Sequence, residues 1–448
     1  VKSLLRKYWD ILHSSFWFLP SLMVGGAVAL ALATIAVDEA ATAEWLQALG
    51  WAYTGGAEGA SSVLGAIAGS MITIAGVVFS MTLVALSLAS SQLGPRLLRN
   101  YMRDTTTQVV LGTFVSTFVY CLLILRTIRR ADEIAFVPHL SVNIGVLFAL
   151  VSVGVLIYFI HHVAMSMQAG QVVARVGQDL ADEIDRLFPE PIGDGQSWSR
   201  IDSVETSLPE AFDREARPVL AGDDGYLQHI EVDTLMALAT QADVLLRLDR
   251  RPGQYVVSGR SLVTVWPGEC VTDEFAAQVN AAFALGNQRT SAQDVEYAIH
   301  QLVEIAVRAL SPGINDPFTA VACVDRLGSA LSRLAQRKMP SPYRHDEDQR
   351  LRVLAAPITF PEIVDAALNQ IRQCARPSAA VSIRLLETIT LVAEAVHRPA
   401  DRAALQRHAE MIVRGAREGL PEEEDRRVVE DRFEVAIQAL KELHAPRR

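Results

Sequence analysis

Cysteine is scarce: Cys121, Cys270, Cys323 and Cys374 are all there are, and no two have C-x-x-C spacing, so neither a disulfide framework nor a zinc site is indicated. Also missing are a G-x-x-x-x-G-K phosphate loop, a G-x-S-x-G nucleophile elbow and an H-E-x-x-H pair, which leaves the common hydrolase signatures without catalytic residues. The net charge of −10 gives no reason to expect a nucleic-acid partner. Ionisable residues are nearly missing from the long apolar runs before His161, which argues against an intramembrane active site or proton relay. No enzyme activity, cofactor or metal is therefore expected.

What is present is sorted along the chain. Half of the 448 residues are hydrophobic, yet 21% are charged, and the two sets occupy different regions. Four segments before His161, at 16–37, 62–91, 108–125 and 140–160, are long and apolar enough to cross a bilayer. From Gln168 onward the chain reads as ordinary soluble protein. The fold class expected is an α-helical membrane protein with four transmembrane helices and a cytoplasmic α+β domain. Its divisions are a membrane domain at 1–162, a linking helix at 163–190, a small β-rich module at 191–267 and a helical region at 268–448.

Lys2, Arg6 and Lys7 precede the first span, and Arg96, Arg99 and Arg103 follow the second. The loop 38–60 has Asp38, Glu39, Glu44 and Glu58 but no Lys or Arg. Positive charge marks the cytoplasmic side, so both termini are expected there; Arg126, Arg129 and Arg130 oppose this scheme, with Asp132 and Glu133 nearby as partners. Trp17, Trp45, Trp51 and Tyr53 suit the membrane interfaces. The first span, ahead of Ala41-Thr42-Ala43, is longer than the core of a signal peptide and reads as an uncleaved anchor.

The second span has a polar seam. Ser62, Gly65, Gly69, Thr73, Gly76, Ser80, Val84, Ser87 and Ser91 follow one another in steps of three or four, one face of a helix. At 1.5 Å per residue the helix runs about 45 Å, enough to cross the hydrocarbon. Two uses fit the seam. Small residues, including the GxxxG pair Gly65 and Gly69, let another helix approach closely. Alternatively, hydroxyls and bare backbone line a water-filled path without trapped charge. Ile74 and Val78 lie off the seam and are expected to face lipid.

The apolar stripe of the fourth span continues through Ile160, Val163, Met167, Gly170, Val173, Val176, Leu180, Ile184 and Leu187 to Pro189 and Pro191, which predicts one continuous helix. His161 and His162, where it leaves the lipid, are either plain interface residues or a pH-sensitive pair.

From Gly225 to Trp266, "GYLQHIEV" and "DVLLRLD" read as strands around a short helix, and "RPGQYVVSGRSLVTVW" as two strands with a turn at Ser258-Gly259. The rhythm of Gly253, Val256, Gly259 and Leu262 resembles the small β-sandwich modules that carry biotin or lipoyl groups, without their modified lysine, which leaves a binding or assembly module with no attached cofactor. After Pro267 the pattern is helical. A helix opening at Ser291, with Asp294 completing a capping box, buries Val295, Ile299, Leu302, Ala306 and Leu310. Glu296, His300, Glu304 and Arg308 on its other face form either a solvated ion-pair ladder or a weak metal or proton site. The helix ends at "SPGINDPFTA", where Asp316 caps the next helix and Pro317 takes its first position. Asn315, with Arg289, Thr290 and Asp316, is a candidate pocket or subunit contact.

The runs "TLVALSLASSQLGPRLLRNYMRD" from Thr82 and "GNQRTSAQDVEYAIHQLVEIAVRALSPGINDPFTA" from Gly286, with the four-span layout, resemble the bacterial membrane family called domain of unknown function 2254. The resemblance implies a multi-pass inner-membrane protein with a cytoplasmic C-terminal domain and supplies no catalytic residues. The function expected is an oligomeric channel-like or transport protein built on the second span, with a regulatory or assembly domain in the cytoplasm. The alternative is a membrane-anchored sensor or scaffold. Its partners are the bilayer and copies of itself.

Overall fold

The computed structural model describes residues 17–40, 56–93, 104–129, 136–166, 168–188, 208–291 and 293–442, with the side chains of 89–93 and 166 left aside. The basic residues before the first span and after the second, the interface aromatics Trp45, Trp51 and Tyr53, the Ala41-Thr42-Ala43 site, the Arg130–Glu133 charges, Met167 and the prolines 189 and 191 lie outside the described residues. Two compact units divide the chain, 1–171 and 172–448.

In the first unit four helices are long and apolar enough to cross a membrane: α1 (Phe18–Ala40), α2 (Ala57–Leu93), α3 (Thr105–Thr127) and α4 (His139–Ser166). The α3 helix is the most buried. Ala27 and Ala31 of α1, Leu64, Ala68 and Met71 of α2, and Phe159 and Val163 of α4 belong to the two apolar clusters built around its Phe114, Tyr120, Cys121 and Ile124. Gly112 brings α1 close, since a methyl there would lie 2.5 Å from Met23 Sδ and 3.2 Å from Pro20 Cα.

Polar groups tie the helix ends, because unsatisfied groups are costly at this depth. The buried Tyr120 hydroxyl donates to the Ser141 carbonyl at 3.1 Å and lies 3.2 Å from Thr34 Oγ1. Asp38, near the end of α1, accepts from the Leu140 and Ser141 N–H groups at 3.0 and 2.9 Å and from Ser141 Oγ at 2.6 Å, so one helix's carboxylate caps the start of another. At the opposite helix ends Asp104 caps α3 by accepting from Thr106 N at 3.2 Å and Thr107 Oγ1 at 2.7 Å, and it meets His162 Nε2 at 2.8 Å. Burial pushes the Asp104 carboxyl up, but the hydrogen bonds from Thr107 and His162 outweigh it and hold it below the ordinary aspartate range. These pairings require α1 and α3 to run in the same direction and α4 to run against both.

The second unit begins on α5 (Ala169–Leu187), a helix separate from α4. The predicted continuous linking helix is therefore two helices, and the reason lies in the stripe itself. Val163 belongs to the membrane bundle, whereas Val173, Val176, Leu180 and Ile184 are buried on a strongly amphipathic helix of the second unit. There Gly177 lies against Arg326, and Asp185 pairs with Arg333 at 2.7 Å and Arg337 at 2.6 Å.

The β region follows as β1 (Arg217–Leu220), β2 (Gly225–Ile230), α6 (Val232–Gln241), β3 (Leu245–Leu248), β4 (Tyr255–Val256), β5 (Ser261–Trp266), α7 (Asp273–Ala281) and β6 (Phe283–Gly286). The strands expected from Gly225 to Trp266 are present, but the sheets do not close within 191–267 and the chain beyond Pro267 is not wholly helical. β6 completes a three-stranded sheet, β4-β2-β6, and β7 (Tyr343–His345) and β8 (Leu351–Ala355) complete a five-stranded one, β1-β5-β3-β8-β7. The pairing of β8 with β3 is parallel, and parallel neighbours need a long crossover, here the helices between them. Those are α7, α8 (Val295–Ala309) and α9 (Pro317–Ala335); α10 (Phe360–Cys374), α11 (Ala379–Ala393), α12 (Pro399–Gly419) and α13 (Glu423–Glu442) follow them. Gly328 lets α9 and α11 approach, since a methyl there would come within 2.5 Å of Thr388 Cγ2.

Candidate functional site

On α2 the buried stripe is Ala60, Leu64, Ala68, Met71, Ala75 and Val78. Ser62, Gly65, Gly69, Thr73, Gly76, Ser80, Val84 and Ser87 are all exposed. At 100° per residue the seam lies about 160° round the helix from that stripe. A methyl at Gly65, Gly69 or Gly76 would meet no atom within 4 Å, so no other helix among the described residues packs on these seam glycines. Ser91 belongs to the helix backbone, and its side chain is outside the described residues. The hydroxyl proton of Thr73 is satisfied by the Gly69 carbonyl at 2.8 Å, and that of the neighbouring Ser70 by Ala66 at 2.7 Å, which lets hydroxyls sit on this surface without a lost hydrogen bond. Val78 corrects the expectation that it faces lipid: it is 2% exposed and packs in the cluster with Phe114, with Ile74 partly buried beside it.

In the second unit Arg289 is a hub. Its guanidinium grips Asp294 through Nε to Oδ2 at 2.8 Å and Nη2 to Oδ1 at 2.9 Å, lies 3.2 Å from His300 Nδ1 through Nη1, and approaches Glu296 at 3.5 Å. Asp294 is itself the N-cap of α8, accepting from Tyr297 N at 3.3 Å, so the helix opens at Val295 and not at Ser291. A carboxylate held bidentately is already oriented for the cap, which Ser291 is not. Burial pushes the Asp294 carboxyl up despite the Arg289 charge beside it. Gly253, at φ +89°, makes room for the pair: a methyl there would stand 2.3 Å from Asp294 Oδ2. Thr290 keeps its hydroxyl buried without a hydrogen-bond partner among the described residues. The polar face of α8 forms ion pairs, Glu304 with Arg308 at 3.9 Å among them, and no cluster of three metal-ligating side chains occurs among the described residues.

Asn315 and Asp316 stand at the other end of α8, about 20 Å away along a helix rising 1.5 Å per residue. The four motif residues therefore do not form one pocket within the chain. Local turn chemistry accounts for both. Asn315 is exposed and takes φ 49°, the left-handed region that asparagine tolerates and β-branched residues do not. Asp316 caps α9, accepting from Thr319 N at 3.1 Å. In denaturant unfolding, Asp316→Ala is expected to cost about 1 kcal/mol and Asp316→Ser almost nothing. Asn315→Gly should be neutral, and Asn315→Val should cost about 1–2 kcal/mol.

Comparison with known proteins adds a family. The family model described as a predicted membrane protein, DUF2254, matches residues 13–390. An uncharacterised protein of Mycobacterium bovis is 33% identical over 428 residues, which make up 94% of this chain and 80% of the relative. An uncharacterised protein of Mycobacterium tuberculosis (strain H37Rv) matches with the same 33% identity over the same 94% and 80%. No solved structure matches the chain.

Proposed function

We propose that this chain, which belongs to the DUF2254 family of predicted membrane proteins, is a non-enzymatic channel-like protein of the bacterial inner membrane that works as a homo-oligomer. In this reading copies of the chain gather with their α2 seams toward a shared polar path, both termini lie in the cytoplasm, and the unit 172–448 regulates or assembles the bundle. One observation supports it: α2 spends its bulky Leu64, Met71 and Val78 on the chain's own core and leaves the hydroxyl and glycine face uncovered. Beside the seam α2 also exposes Ile72, Val77 and Leu83, and α4 exposes Leu147, Leu150, Val151 and Ile157, as a lipid-facing surface requires.

The test is thiol reactivity in membranes. A cysteine at Ser80 or Thr73 is expected to react with a small water-soluble thiol reagent, while one at the buried Val78 stays inert. If the seam cysteines are equally inert, the seam packs against a neighbouring helix and the protein is an anchored sensor or scaffold.

A further inference from the structure

A cavity of about 360 Å³ lies within the second unit, between the end of α5, the loop 249–254, the capping turn of α8 and the segment 355–358 that leads into α10. That volume accommodates a small organic ligand. Phe188, Leu248, Pro357 and Ile358 give it an apolar wall.

Its charges are unevenly matched. Each carboxylate at the cavity is already served. Asp249 accepts from Thr264 Oγ1 at 2.7 Å and Arg247 Nε at 3.2 Å; Asp294 is held by Arg289 at 2.7 Å; Glu296 lies 3.9 Å from Arg251 and 3.5 Å from Arg289. Two guanidinium groups have no carboxylate among the described residues. Arg250 buries its Nε without any hydrogen-bond partner, and Arg344 donates only to the carbonyls of Ser341 and Tyr343. A half-buried cation without a counter-charge favours an incoming anion, and the guanidinium fork matches an oxyanion in shape.

We infer that this cavity binds a small organic oxyanion, a phosphate or carboxylate group on an apolar body, with Arg250 and Arg344 taking the oxygens and the wall at Phe188 and Pro357 taking the body. Such binding is independent of whether the membrane unit conducts, since it is read on the purified chain without any flux.

Calorimetric titration of the full chain in detergent with phenyl phosphate, benzoate and inorganic phosphate tests it. Saturable binding of at least one aromatic anion is expected, weakened about tenfold by Arg250→Gln and by Arg344→Gln and less by Arg250→Lys, as charge-assisted contacts predict. Inorganic phosphate should bind more weakly, lacking a body for the wall. Melting of the variants without ligand shows that they fold, and Arg250→Lys and Arg344→Lys carry the test if the glutamine variants do not. The inference is overturned if wild type binds neither aromatic anion, if the variants bind as wild type does, or if inorganic phosphate binds as tightly as phenyl phosphate.

Discussion

Arg289→Ala is expected to destabilise the second unit by about 3–5 kcal/mol, the cost of leaving a buried carboxylate without its partner. Asp294 has only 3% of its side chain exposed and Arg289 18%, so water replaces little of what the guanidinium provides. The loss extends beyond the pair. Asp294 also caps α8, and Glu296 and His300 lose a neighbour at the same time. Combining Arg289→Met with Asp294→Asn should cost much less than Arg289→Ala alone, because asparagine keeps the cap and no buried charge is stranded. Urea unfolding of the single and double variants measures the difference. Equal losses in the two would mean that the guanidinium packs there without serving the charge.

The second large effect is expected at Gly112. A leucine there would drive α1 away from α3, since its first carbon already falls 2.5 Å from Met23 Sδ and 3.2 Å from the Pro20 backbone. Overpacking of this kind costs about 1–3 kcal/mol where side chains alone must yield, and a backbone neighbour leaves less room to relax. Detergent-solubilised Gly112→Leu should therefore melt well below wild type. Gly69→Leu is the contrast, because nothing among the described residues beyond its own turn of helix lies within 4 Å of the added Cβ. Its monomer should melt like wild type, so a change in particle size reports contact between chains. If Gly69→Leu lowered the melting of the isolated monomer as Gly112→Leu does, the outward direction of the seam would be wrong.

The four spans were legible because hydrophobic length alone identifies them, and β2, β3 and β5 because alternating runs are bounded by turn residues. Which face of α2 is buried was not. The stripe from Ala60 to Val78 and the seam from Ser62 to Ser87 both repeat at helical spacing, and periodicity does not say which of two stripes meets the rest of the chain. β7 and β8 were missed because strands of three and five residues carry little alternation, and β8 pairs with a strand about a hundred positions earlier. The ties of Asp38 to Ser141 and of Asp104 to His162 join distant residues in the same way, although Asp104 ahead of three threonines carried the signal of a helix cap. At the motif 312–317, Asp316 was legible as a cap, whereas the left-handed backbone at Asn315 was not. A pocket shared by Asn315 and Arg289 within one chain is ruled out by distance, because α8 stands between them. Arg250 and Arg344 meet at one cavity only through the crossover that brings β8 beside β3.

Ion flux through purified protein in liposomes, recorded for wild type and for Ser80→Leu, bears most directly on the proposed role of the seam. A channel assembled on α2 predicts conductance in wild type and its loss in Ser80→Leu while the oligomer stays whole, because a bulky apolar side chain closes a polar path without separating the chains. An intact oligomer that conducts nothing, with unreactive cysteines along the seam, would contradict the channel and leave a membrane-anchored sensor or scaffold.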